Sequence, residues 1–230
     1  ASSARTARKP KTGRSRFRKF SKLMSARRLS DSFRTWIEID AKAARRNYET
    51  FRRLLIPKTK MWSVVKSNAY GHGLFVFSKL AERIGIHGFC VDTIVEGLAL
   101  RREGIKKPIL ILGFTLPKFL PEAHAKNIIV TISNFEALKA IRTVKNPPSF
   151  HIKVDSGMHR QRFFLNDVPR VISLIKGKSS LTGSLKGIYT HFSSAKDINY
   201  PTYTERQFRV FEKAARLFER AGFKNLIKHC

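Results

Sequence analysis

The sequence predicts an α/β fold, a (β/α)8-type parallel barrel that is incomplete at about seven strands, and three observations carry that prediction. Short β-branched runs alternate with helical patterns from residue 35 onward. The run Ile109-Leu110-Ile111-Leu112 is apolar without alternation, as a strand covered on both faces must be. No G-x-G-x-x-G follows any strand, which removes the main sign of a doubly wound dinucleotide-binding sheet.

The elements follow in order. Thr35-Trp36-Ile37-Glu38-Ile39 alternates at period two and reads as a strand, and Asp40 caps a helix over Ala41–Leu55 that Pro57 stops. Strands then fall at Met61–Val65, His87–Val91, Ile109–Leu112, Ile128–Thr131, Phe150–Val154 and Lys186–Thr190, with a last apolar run at Leu226-Ile227. Between them lie helices at Leu74–Ile84, Thr93–Glu103, Pro117–Lys126, Asn134–Arg142 with Ser133 as its cap, Asp167–Ile175 and Thr202–Ala221.

Charge divides the chain. The 230 residues carry 46 Lys and Arg against 16 Asp and Glu, a formal charge of +30, and 42% are hydrophobic, enough for a core. From Ala1 to Arg34, twelve basic residues face one acid, Asp31, and the apolar side chains are too few to order the segment. Residues 1–33 are expected to be a disordered basic tail, suited to polyanions, and also readable as a transit peptide or as sequence upstream of a start at Met24. Residues 34–230 are expected to be the partial barrel. The longest apolar stretch, Ile109 to Leu116, is broken by Gly113 and falls short of the ~20 residues of a membrane span. Cys90 and Cys230 form neither a disulfide framework nor a metal spacing, which points to a reducing, cytoplasmic setting and no metal. An eight-stranded barrel takes roughly 250 residues. The chain reaches Cys230 at its seventh strand, so it is expected to be a fragment, or to be completed by a partner.

In such barrels chemistry sits where strands end. Three ends carry polar clusters: Val64-Val65-Lys66-Ser67-Asn68-Ala69-Tyr70-Gly71-His72-Gly73, Lys153-Val154-Asp155-Ser156-Gly157-Met158-His159-Arg160, and Tyr189-Thr190-His191-Phe192-Ser193-Ser194-Ala195-Lys196-Asp197. Singly, Lys66 reads as a solvated cation, Gly71 and Gly73 as turn residues, Arg160 as a surface arginine and His191 as a core histidine. Three clusters on one face favour a site. A lysine rising into a low-dielectric pocket has its pKa lowered, which suits an amine that condenses with a carbonyl compound.

Over ten positions the Lys66 cluster resembles the pyridoxal-phosphate attachment motif of the alanine racemase family, and the later two clusters resemble segments of that family in the same order. The resemblance runs from about Thr35 to Cys230. It implies an N-terminal (β/α)8 barrel followed by a β domain, absent here, in a head-to-tail homodimer that interconverts L-alanine and D-alanine. Lys66 is then the catalytic residue, holding pyridoxal 5'-phosphate as an imine and serving one face of the substrate Cα. Tyr70 contacts the phosphate, Arg160 the phenolic oxygen and substrate carboxylate, and His191 the network under the pyridine ring. Lys153 matches a position carbamylated in some members. The opposite face of Cα is served in the family by a tyrosine of the second subunit's C-terminal domain, so this chain alone is expected to be inactive. His159 and Gln161-Arg162 depart from the family pattern beside Arg160.

Three other readings compete. A non-catalytic racemase-like barrel could act as a basic scaffold on nucleic acid or a ribonucleoprotein, which the charge favours and the intact Lys66 motif disfavours. A one-domain pyridoxal-phosphate carrier would need a closed barrel within the chain. A metal hydrolase using His72, His191 and Asp197 lacks a ligand pair at helical spacing.

Overall fold

The computed structural model describes residues 34–230, so the basic tail at 1–33 lies outside it. The described chain divides after Ile39. Residues 34–39 carry no helix or strand, and Trp36 Nε1 donates to Glu38 Oε1 at 2.8 Å. The strand expected at Thr35–Ile39 is not formed. Alternation shows which face a strand can bury, but a strand also needs a ladder partner, and none among the described residues pairs with this segment.

From Asp40 onward, seven strands run parallel in chain order: β1 (Trp62–Val64), β2 (Gly88–Val91), β3 (Ile109–Ile111), β4 (Val130–Ile132), β5 (Phe150–Lys153), β6 (Leu185–Tyr189) and β7 (Ile227–His229). A bridge between Leu110 and Ile129 joins β3 to β4, with Ile111 N–H donating to Ile129 O and Ile129 N–H to Ile109 O, each at 2.8 Å. The strand order never reverses. A doubly wound sheet must reverse, so the topology is that of a barrel.

The sheet also curls. Tyr189 of β6 hydrogen-bonds Thr131 Oγ1 of β4 at 3.0 Å across the interior. Lys153 at the end of β5 lies within the electrostatic reach of Lys66 at the end of β1. In a flat sheet, strands four places apart would stand roughly 19 Å from each other.

The helices are α1 (Ala41–Leu54), α2 (Leu74–Ile84), α3 (Ile94–Arg102), α4 (Leu120–Ala125), α5 (Phe135–Thr143), α6 (Val168–Lys176), α7 (Ser179–Ser184) and α8 (Pro201–Arg220). Asp40 caps α1 by accepting from Lys42 N and Ala43 N. Asn134, not Ser133, caps α5: its Oδ1 accepts Ala137 N at 2.7 Å. The expected Pro117–Lys126 helix opens as a 3-10 turn at Pro117–Phe119 before α4 begins. Helix α7 has no apolar period to announce it and buries one side chain, Leu181. Every residue of β2, β3, β4 and β5 is buried, because helices cover one face and the interior the other. No described helix is long and apolar enough to cross a membrane.

The interior holds a polar pair. His151 Nδ1 and His229 Nε2 are 2.8 Å apart, and burial lowers His151 to about 3, with His229 adding to the effect, while His229 itself falls to about 4. Both rings stay neutral in the folded protein, whereas the unfolded chain protonates them below about 6.5. Stability is therefore complete above pH 6.5 and falls with a steep slope as pH drops toward 4. Urea midpoints measured from pH 7 to 4.5 should show this slope, and His229→Gln should roughly halve it. An unchanged slope in that variant would contradict the assignment.

Candidate active site

The site begins where β1 ends. Val65 N–H still donates to Cys90 O at 2.8 Å, continuing the ladder into β2. After Lys66 the backbone turns left-handed: Ser67, Asn68, Ala69 and Tyr70 have φ of +52°, +57°, +53° and +53°. A run of non-glycine residues there costs about 1–2 kcal/mol for each. Local bonds offset the strain. Asn68 accepts Gly71 N (3.1 Å) and Gly73 N (3.0 Å) at its carbonyl and Leu74 N (2.8 Å) at Oδ1, while the Ala69 methyl is buried. Gly71 and Gly73, at φ of +92° and +88°, complete the turn where a Cβ would add strain. The apolar periodicity of the sequence contains no sign of this turn, which reads there only as a loop. Strain of this kind concentrates at functional sites.

Opposite, the β5 end contributes Lys153 and the segment after it contributes Arg160. Lys153 is buried, and its Nζ lies 5.6 Å from the Tyr189 ring centre. Burial lowers its pKa, helped by the positive charges of Arg160 and Lys66 and opposed by Asp92 and Asp155. The sequence placed the desolvated lysine at 66; the structure places it at 153, while Lys66 is half-buried at the rim. His191, after β6, is exposed at the same rim. Partial desolvation and the cations Arg160, Lys153 and Lys66 lower its pKa. Lys153, Arg160 and His191 line one small cavity, and Lys66 lies within electrostatic reach of Lys153 and His191. Tyr70 ends the left-handed turn with 61% of its surface exposed.

Of the departures beside Arg160, His159 and Arg162 both bond Asp155. Arg162 Nε lies 2.8 Å from Asp155 Oδ2, its Nη1 donates to the Arg160 carbonyl, and its guanidinium covers the Phe164 ring at 5.0 Å. Burial pushes Asp155 up, but amides of Gly157 and His159 and the charge of Arg162 hold its carboxyl below the ordinary range. Three contributors were not singled out from sequence: Asp92, Thr131 and Glu96. Glu96 had a signal, since Thr93-x-x-Glu96 ahead of an apolar run is a capping box. Among the described residues no cluster of three His, Cys, Asp or Glu could hold a metal ion.

Residues 39–230 match the family described as alanine racemase, N-terminal domain. Alanine racemase 1 of Oceanobacillus iheyensis is 34% identical over 199 residues, covering 85% of this chain and 52% of that protein. The Lactobacillus acidophilus alanine racemase is 38% identical over 183 residues, 76% of this chain and 47% of that one. The chain spans about half the length of the curated relatives it matches. Among solved structures, the Bacillus anthracis alanine racemase with bound L-Ala-P superposes with a TM-score of 0.76 at 29% identity, over 85% of this chain and 51% of that one. The Corynebacterium glutamicum enzyme gives 0.74 at 26%, over 84% and 55%.

The rim is a field of mutually repelling cations. Removing one should raise the pKa of the others. NMR titration of His191 should give a midpoint below 6.5 in the parent chain and a higher one in Arg160→Gln. An unmoved midpoint would mean that Arg160 does not face this site.

Proposed function

Because the chain belongs to the alanine racemase family, we propose that it forms the cofactor-binding barrel of a pyridoxal 5'-phosphate-dependent alanine racemase in which Lys66 carries the cofactor. The observation that carries the reading is that Lys153, Arg160 and His191 line one cavity at the strand ends, with Lys66 at the end of β1 within electrostatic reach of it. That donor set fits the group: a primary amine for the aldehyde, and cations for the phosphate, the phenolic oxygen and a substrate carboxylate.

When bound, pyridoxal phosphate withdraws electron density from the amino acid Cα and so makes its proton removable. Lys66 Nζ takes or returns that proton on one face. The left-handed turn that follows, held by its bonds to Asn68 and by Ala69 burial, sets where Lys66 leaves the backbone. Arg160 holds the carboxylate, and Arg162 braces Arg160 through its carbonyl. Tyr70, exposed at the end of the turn, is free to meet the phosphate. His191, with its pKa depressed, stays neutral near pH 7 and can hydrogen-bond without adding a further charge. Lys153 keeps the Arg160 side positive and stacks over Tyr189. The opposite face of Cα needs a second group. Three tyrosines of the barrel are committed elsewhere, Tyr48 to Gly85 O, Tyr189 to Thr131 and Tyr203 to Gly157 O, while Tyr200 is exposed ahead of α8. By the family resemblance that group is a tyrosine of the second subunit in a homodimer, and the setting is cytoplasmic.

The test is chemical. Borohydride reduction of the chain loaded with pyridoxal phosphate, followed by peptide mapping, should put the pyridoxyl group on Lys66, and Lys66→Ala should lose it. Label on another lysine in the parent chain would overturn the assignment.

A further inference from the structure

Ser67 is the residue immediately after Lys66, and its N–H donates to Glu96 Oε1 at 2.7 Å. The amides of Ala69, Gly71, His72 and Gly73 donate instead to carbonyls within residues 65–69, and at the far end of the turn the Gly73 carbonyl accepts Phe77 N of α2 at 3.0 Å. Glu96 sits in the first turn of α3, and its other oxygen, Oε2, accepts Asp92 N at 2.9 Å and Thr93 N at 3.2 Å. Thr93 Oγ1 in turn accepts Glu96 N at 3.3 Å.

A capping box requires only one of the two carboxylate oxygens. Oε2 does that work here, so the bond from Oε1 to Ser67 has no role in starting α3. It is also the shortest of the set. It satisfies the first amide after Lys66, at the point where the strand ladder has ended and the left-handed run begins. A flexible side chain could not fix that amide, but this carboxylate is itself held by the amides of Asp92 and Thr93, just ahead of α3, and stands where the helix dipole favours a negative charge. The link therefore runs from a rigid helix start, through one carboxylate, to the backbone beside Lys66.

We propose that Glu96 is a positioning residue for Lys66: it ties the left-handed turn to the start of α3 and so sets the direction of the Lys66 side chain. The proposal rests on the reading of Lys66 as the attachment lysine. Glu96 touches no reacting atom and acts only through the Ser67 amide.

The experiment compares the parent chain with Glu96→Ala, Glu96→Gln and Thr93→Ala by amide hydrogen exchange and by pyridoxal phosphate titration with borohydride trapping. Loss of a hydrogen bond to a charged group corresponds to about ten- to hundredfold faster exchange. Glu96→Ala should show that acceleration at Ser67 and the following turn, and a weaker affinity for pyridoxal phosphate at Lys66. Thr93→Ala should accelerate exchange in the first turn of α3 and leave both the Ser67 amide and the affinity near parent values. Glu96→Gln, with one acceptor oxygen for two sets of donors, should fall between, and it serves if Glu96→Ala does not fold. If Ser67 remains protected in Glu96→Ala, or Thr93→Ala deprotects the turn equally, the tie is refuted. If the parent chain takes no label on Lys66, the functional reading fails while the exchange data still judge the tie. If the parent is labelled and Glu96→Ala binds equally well, the positioning role fails and the functional reading stands.

Discussion

Seven parallel strands in unreversed chain order place all their C-terminal ends on one rim, and every group with chemistry in this chain depends on that constraint. Backbone ladders and apolar side chains fill the interior from β2 to β5, so cations can be kept only where the ladder stops and water returns. Lys66 stands at the end of β1, Lys153 at the end of β5 and His191 just past β6. Curling of the sheet turns positions far apart in sequence into one electrostatic neighbourhood. Arg160 and Lys66 both repel Lys153 there, a cost that an anionic ligand would relieve, while His191 with its lowered pKa adds no charge near pH 7.

Beneath the rim, the interior is not purely apolar. Lys153 lies over the Tyr189 ring, Tyr189 stacks on His229 at 4.6 Å with planes 8° apart, and His229 reaches His151. Tyr189 is buried and bonded to Thr131, which pushes its phenol well above the ordinary range, because burial outweighs the hydrogen bond. Gly187 is what lets this layer fit: a Cβ there would come within 2.8 Å of the His151 ring and of the Ile227 carbonyl. The layer rigidifies the floor on which Lys153 and its neighbours sit. Its buried histidines also make the fold sensitive to acid.

Much of this was legible in the sequence. Apolar runs set the seven strands to within a residue or two, because a strand covered on both faces has few alternatives. Lys66, Arg160 and His191 could be found because each follows such a run at its C-terminal end. The left-handed turn was not legible, since three of its four residues, Ser67, Ala69 and Tyr70, have no intrinsic preference for that conformation and hold it only through Asn68, Ala69 burial and Glu96. Burial depth was equally hidden: two lysines at strand ends look alike in sequence, and only packing separates half-buried Lys66 from buried Lys153. Thr35–Ile39 shows the reverse failure, where a good strand pattern met no partner.

The role proposed for this rim is to hold an anionic aldehyde through Lys66. The direct measurement is a visible-absorbance titration of the parent chain and of Lys66→Ala with pyridoxal 5'-phosphate and with pyridoxal, which lacks the phosphate. The account predicts one saturable site per chain for pyridoxal phosphate, absent in Lys66→Ala, with pyridoxal binding about tenfold or more weakly for want of the charge-assisted contacts. Equal affinities for the two aldehydes, or an unsaturable signal that survives Lys66→Ala, would contradict it.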